Sequence, residues 1–188
     1  GIPWWTTDIG GFFGANINDP EFHELLVRWF EYGCFCPVMR LHGYRWPLQP
    51  QYGTTGGATC VSGAPNEVWS YTDQVCEILS DYLRLRERML PYITELMEEA
   101  HEKGTPVMRP LFYDFPEDKE SWNVETEYMF GPKVLVKPIT DADARETDVY
   151  LPGGASWTNA WTGETFEGGQ KVHAVSYTHL RAHETEAD

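Results

Sequence analysis

The first part of the chain alternates short apolar runs with one amphipathic segment. Residues 2–9, IPWWTTDI, are rich in aromatic and β-branched types and end at a glycine pair, which predicts a buried strand running into a loop. Asp19 is a suitable N-cap, Pro20 suits the first helical position, and Gly33 marks the end of a predicted helix. Apolar residues recur between them at helical spacing: Phe22, Leu25, Leu26, Trp29 and Phe30. A second apolar run, residues 34–42, follows, so the order predicts a strand–helix–strand unit with parallel strands.

The remainder of the chain changes character twice. Residues 43–69 are rich in Gly, Pro, Thr and Gln without periodicity, and a loop of this length inside a compact domain is usually functional. An amphipathic stretch from Ser70 predicts a helix that kinks or restarts at Pro91 and closes at Gly104. From Thr105 onward, short β-rich segments such as YMFGPKVLVKPI, ETDVYLP and ASWTNAWTGETFEGG are separated by turns, which predicts a second, all-β domain.

Charge and composition remove several classes of function. The chain of 188 residues has 14 Lys and Arg against 29 Asp and Glu, giving a net charge of -15. We therefore expect no nucleic-acid partner, because this surface repels a phosphate backbone. No apolar run is long enough to cross a membrane, so no membrane partner is expected. The four cysteines lack the spacing of a zinc site, and we predict neither a metal nor another cofactor.

Polar side chains gather where the two predicted strands end. Alternate residues of a strand share a face, so Arg40 and His42 point the same way, as do Thr6 and Asp8. Carboxyl ends of parallel strands carry the active sites of such folds. Carboxylate, guanidinium and imidazole groups with an aromatic ring, Phe12, suit the polar edge and apolar face of a sugar. Two alternatives stay open: Arg40 is an ion-pair partner of Asp8, and His42 is a structural histidine.

Five segments in order strengthen the carbohydrate interpretation: WTTDIGGFFG, LLVRWFEYGCFCPVMRLHG, LRLRERMLPYI, GTPVMRPLF and YMFGPKVLVKPIT. Over residues 1 to about 174 they resemble glycoside hydrolase family 31. The resemblance implies an α/β fold: the C-terminal part of a (β/α)8 TIM barrel, residues 1–105, followed by an incomplete all-β sandwich domain, residues 106–174. Residues 175–188 resemble a translated sequencing adapter, and we expect them to be a non-native tail.

Members of this family are retaining α-glycosidases, in which one Asp attacks the sugar and another acts as acid and then base. By the resemblance, both lie upstream of DIGGF, so we expect no catalytic residue here and no activity from this chain alone. It implies instead that His42 and Arg40 contact sugar hydroxyls, Phe12 walls the site, and Asp8 organises the loop or ligand. The expected partner is an oligosaccharide bearing terminal α-linked xylose or glucose. Two other functions stay open, a non-catalytic carbohydrate-binding protein and an α-transglycosylase of the same family.

Overall fold

The computed structural model describes residues 2–175, which form three α-helices and nine strands joined by turns and short 3-10 segments. The helices are α1 (Pro20–Cys34), α2 (Asp73–Lys103) and α3 (Leu111–Asp114). The strands are β1 (Phe13–Asn16), β2 (Tyr44–Trp46), β3 (Met108–Arg109), β4 (Tyr128–Phe130), β5 (Val134–Val136), β6 (Glu146–Leu151), β7 (Ser156–Thr158), β8 (Thr165–Glu167) and β9 (Gln170–Val175). Thr6–Pro91 form one compact unit, and the described residues 2–5 and 92–175 belong to another. None of the helices of residues 2–175 has the length and apolar character of a membrane span.

Helix α1 confirms the prediction made from its capping residues. The Asp19 carboxylate accepts a hydrogen bond from the Glu21 amide at 3.0 Å, and Pro20 occupies the first turn. Its last turn packs closely on Ile9, because a Cβ added at Gly33 would lie 2.5 Å from the Ile9 Cδ1 atom. Ile9 has no exposed surface, so α1 holds the start of the glycine-rich loop in the core of its unit.

The flanking strands are parallel, as predicted, but both predicted positions are wrong. Residues 2–9 contribute a single parallel bridge, between Ile9 and Leu41, and the paired strands are β1 and β2 further along the chain. Residues 34–42 do not extend into a strand because the Arg86 guanidinium binds the carbonyl oxygens there. It donates to Cys34 O at 2.7 Å, Cys36 O at 2.5 Å and Pro37 O at 2.7 Å, which occupies the acceptors that a neighbouring strand would use.

Helix α2 begins later than predicted and continues through its proline. The Ser70 hydroxyl donates to the Glu67 carboxylate within a 3-10 turn, whereas the Thr72 hydroxyl accepts from the Val75 amide at 3.3 Å at the start of the helix. The helix does not restart at Pro91. The predicted segment 43–69 is largely irregular but contains β2 and a bridge between Gln49 and Ser62.

The predicted strands of the second half are present over the residues that the structure describes, but this part is not all-β, because α3 and a 3-10 turn at Lys119–Trp122 lie between β3 and β4. β3, β4 and β5 form an antiparallel sheet, while β6 pairs with β9 and β7 with β8, also antiparallel. Leu111, Met129 and Tyr150 form a core cluster. The Asp118 carboxylate accepts hydrogen bonds from the hydroxyl of Tyr150 in this cluster and from the Gly153 amide, each at 2.7 Å. The limits 1–105, 106–174 and 175–188 stay predictions, and nearly all of the last range lies outside the described residues.

Candidate functional site

Two segments that carry the predicted site residues, 8–12 and 40–45, lie side by side. The Ile9 amide donates to Arg40 O at 3.2 Å, and the Tyr44 amide donates to Phe12 O at 2.9 Å. The parallel bridge between Ile9 and Leu41 lies between these two bonds. Asp8 and Phe12 on one segment are therefore held next to Arg40 and His42 on the other.

Asp8 and Arg40 form an ion pair through Asp8 Oδ1 and Arg40 Nη2. The first open alternative for Arg40 is therefore realised in this structure. The pair is not sealed from solvent, because 52% of the Arg40 side chain and 21% of the Asp8 side chain are exposed. A guanidinium has five N–H donors, so one bond to Asp8 leaves others for a ligand oxygen.

Phe12 and His42 form the second pair of the site. Their ring centroids are 5.4 Å apart with an interplanar angle of 43°, and both side chains are exposed. Phe12 also contacts Phe13 edge to face, with the ring centroids 4.6 Å apart. An exposed aromatic face beside an imidazole offers a sugar an apolar wall and a hydrogen-bonding edge. The structure thus forms two pairs, Asp8 with Arg40 and Phe12 with His42.

The loop between the two pairs depends on glycine conformations. Gly10 and Gly11 have φ values of 84° and 83°, in the left-handed region where glycine is favoured. The Gly11 amide donates to Asp8 O at 2.8 Å, closing a tight turn directly after the carboxylate. This turn returns the chain so that Phe12 lies beside His42.

Arg45 is a residue of this region that the sequence analysis did not identify. Its side chain is fully buried, and it donates to Gly11 O at 2.8 Å, Ile9 O at 3.2 Å and His42 O at 3.4 Å. The sequence pattern from which Arg45 could have been identified is the alternation in YRW, because successive residues of a strand face opposite sides and Arg45 is therefore on the opposite face from Tyr44 and Trp46. Such a pattern indicates a charged side chain turned away from its aromatic neighbours.

Strongly shifted titratable groups occur in the same unit on helix α1. Burial raises the pKa of Glu31 to about 7, although the Arg28 guanidinium opposes this shift. Burial also raises the pKa of Cys34 to about 12, against the lowering effect of Arg86. Within residues 2–175, no group of three or more His, Cys, Asp or Glu side chains is arranged to hold a metal ion.

Comparison with known protein families identifies the family to which this chain belongs. Residues 1–96 match the family model described as the glycosyl hydrolases family 31 TIM-barrel domain, and residues 104–185 match the glycosyl hydrolase family 31 C-terminal domain. The chain belongs to glycosyl hydrolase family 31. This membership confirms the predicted α/β class, with part of a TIM barrel followed by the family's C-terminal domain.

Relatives of this family 31 chain include glycosidases of two kinds. An alpha-xylosidase from Saccharolobus solfataricus is 38% identical over 92% of this chain and 21% of its own length. Alpha-glucosidase 2 from Bacillus thermoamyloliquefaciens is 36% identical over 94% of this chain and 19% of its own. Among solved structures, a GH31 alpha-xylosidase from a soil metagenome complexed with xylose superposes with a TM-score of 0.88 at 50% identity, covering 93% of this chain and 26% of that one.

The chain therefore spans about a fifth to a quarter of the length of these relatives. Their similarity supports the assignment of this chain to glycosyl hydrolase family 31. The sugar-binding roles of Asp8, Phe12, Arg40 and His42 stay predictions, to which the structure adds the two side-chain pairs.

Proposed function

We propose that the complete protein is a retaining α-glycosidase that releases terminal α-linked xylose or glucose from oligosaccharides. In this proposal the present chain supplies part of the sugar-binding wall. The observation that carries it is the exposed Phe12–His42 ring pair, held on the same two adjacent segments as the Asp8–Arg40 ion pair. Together they present an apolar face, donors and a carboxylate, which is the mixture that sugar rings require.

The site residues are proposed to bind the sugar rather than to cleave it. A retaining glycosidase needs two carboxyl groups about 5–5.5 Å apart, one as nucleophile and one as acid and base. Asp8 is the one carboxylate among the four proposed site residues, and its Oδ1 atom is engaged by Arg40. We therefore assign Asp8 to orienting the loop and ligand, and assign the two catalytic carboxylates to other segments of the barrel.

The choice between xylose and glucose rests on the relatives. The xylose complex at 50% identity and the alpha-xylosidase at 38% identity favour an α-xyloside substrate. The alpha-glucosidase at 36% identity keeps an α-glucoside as the second substrate to be tested. The two sugars differ by one hydroxymethyl group. We therefore expect the kcat/KM values for the two substrates to differ by about 10- to 200-fold, as is usual when substrates differ by one small group.

The experiment is hydrolysis of 4-nitrophenyl α-xyloside and α-glucoside by the complete enzyme, with the released sugar followed by NMR. We expect cleavage of at least one substrate and initial release of the α-anomer, as retention requires. Initial release of the β-anomer would contradict the mechanism. Cleavage of neither substrate would favour a non-catalytic binding protein, and transfer to an added sugar in excess of hydrolysis would indicate a transglycosylase.

A further inference from the structure

Arg45 carries a charge that the proposed binding function does not use. The residue is fully buried, and its guanidinium donates to carbonyl oxygens instead of pairing with a carboxylate. Its Nε atom is buried and has no hydrogen-bond partner among the described residues. Burying a charged group is costly unless its hydrogen bonds compensate. The hydrogen bonds of Arg45 therefore offset the cost of burying its charge only in part, which indicates that the residue has a specific role at this place in the fold.

The three acceptors show what the guanidinium holds together. Two of them, Ile9 O at 3.2 Å and Gly11 O at 2.8 Å, flank Gly10 in the loop between Asp8 and Phe12. The third is the carbonyl oxygen of His42 itself, at 3.4 Å. Charge assistance strengthens such bonds, and the 2.8 Å bond to Gly11 O has the length of the strong ones. One side chain thus joins the backbones of both segments that carry the candidate sugar contacts.

The surrounding backbone leaves space for this guanidinium. A Cβ added at Gly10 would lie 2.5 Å from Arg45 Nη2, and one added at Gly43 would lie 2.5 Å from Nη1 and 2.7 Å from Nη2. The Phe22 ring lies under the group, with its centroid 5.2 Å from Arg45 Cζ. At the main chain, the Ala64 amide donates to Arg45 O at 2.9 Å. The main chain and the guanidinium of Arg45 are therefore both held by hydrogen bonds.

We propose that Arg45 is a positioning residue, which fixes the loop bearing Asp8 and Phe12 against His42 through three carbonyl bonds and so sets the geometry of the sugar site. This inference rests on the proposed function, and it adds a residue that acts without touching the sugar. It acts through Phe12 and His42, whose relative placement depends on the carbonyls that Arg45 holds. Displacements of about 1 Å in such contacts cost on the order of 100-fold in rate.

Arg86 offers a matched control for the experiment. It is also an arginine of this unit that donates to three carbonyl oxygens, at 2.5 to 2.7 Å, but those belong to the 34–37 segment and not to the site. The variants are R45K and R45M, with R86K and R86M as controls, all in the complete enzyme. The readouts are Tm, kcat/KM on both 4-nitrophenyl glycosides well below the lowest Tm, and amide hydrogen exchange at Gly11 and Tyr44.

We expect R45M to lower kcat/KM by about 10- to 100-fold and R45K by less, since lysine keeps the charge and part of the bonding. Exchange at Gly11 and Tyr44 should accelerate in both. R86K and R86M should lower Tm while leaving kcat/KM and these two amides as in the wild type. Should R45M fail to fold, R45K decides the question.

An unchanged kcat/KM in R45K would overturn the positioning role, whatever its Tm. An equal loss in R86K would overturn it too, because the effect would then follow from general destabilisation. If the wild-type enzyme cleaves neither glycoside, the proposed function fails separately. Amide exchange then decides the role of Arg45, and unchanged exchange at Gly11 and Tyr44 in R45K refutes it.

Discussion

Gly10→Ala tests the packing of the site loop against Arg45, and Gly14→Ala is its matched control. The two glycines have nearly the same backbone conformation, with φ values of 84° and 82°. Placing alanine in this left-handed region costs about 1–2 kcal/mol at either position. At Gly14 nothing lies within 4 Å of the added Cβ, whereas at Gly10 it would lie 2.5 Å from Arg45 Nη2 and 3.1 Å from Leu26 Cδ1.

The difference between the two variants gives the value of the buried contact. Relief of the clash at Gly10 requires the guanidinium to leave Ile9 O, and a hydrogen bond from a charged group contributes about 1.5–3 kcal/mol. We therefore expect Gly10→Ala to cost about 2.5–5 kcal/mol and Gly14→Ala about 1–2 kcal/mol. Urea unfolding followed by tryptophan fluorescence measures both through the shift in midpoint at unchanged slope. Equal destabilisation by the two substitutions would refute this account of the loop.

Three further predictions concern stability and reactivity. Burial raises the pKa of Glu31 to about 7, so the folded protein keeps a proton that the unfolded chain releases near pH 4.5. Glu31 should therefore contribute a loss of roughly 3 kcal/mol in stability as the pH rises from about 4.5 to about 7, and Glu31→Gln should remove that contribution, as the difference between the two proteins in urea unfolding across that range will show. Burial raises the pKa of Cys34 to about 12 while Cys60 is exposed, so mass spectrometry should find native labelling by a thiol reagent at Cys60 and labelling of Cys34 only after unfolding. Tyr150→Phe removes the 2.7 Å bond to Asp118 and should cost about 1.5–3 kcal/mol in thermal unfolding, so an unchanged Tm would contradict that bond's role.

Local signals predicted the helices better than the strands. The Asp19 cap, the proline after it and the apolar spacing of α1 act within a few residues, so the helix is where the sequence puts it. The strands depend on distant partners. An apolar run at residues 34–42 satisfies every local rule for a strand, yet Arg86, some fifty residues away, binds its carbonyls and keeps it irregular.

The site shows the same division between local and distant information. Motif and spacing brought Asp8, Phe12, Arg40 and His42 into one hypothesis, and the structure places them on adjacent segments in two pairs. Arg45 was not predicted because arginine is usually a surface residue. Its burial depends on the carbonyl oxygens of Ile9 and Gly11, and on the space left by the missing side chain of Gly10, in a segment more than thirty residues earlier.

The central claim is that this chain supplies sugar-contacting side chains to a family 31 active site, and His42→Ala in the complete enzyme tests it most directly. The substitution keeps the His42 carbonyl that Arg45 binds and removes only the exposed imidazole beside Phe12. His101→Ala, at an exposed position near the end of α2, is the control and should leave kcat/KM unchanged. Loss of a strong hydrogen bond to the sugar costs about 1.5–3 kcal/mol, so we predict a fall of more than about tenfold in kcat/KM for His42→Ala. A fall of only a few-fold, or an equal effect in His101→Ala, would contradict the claim.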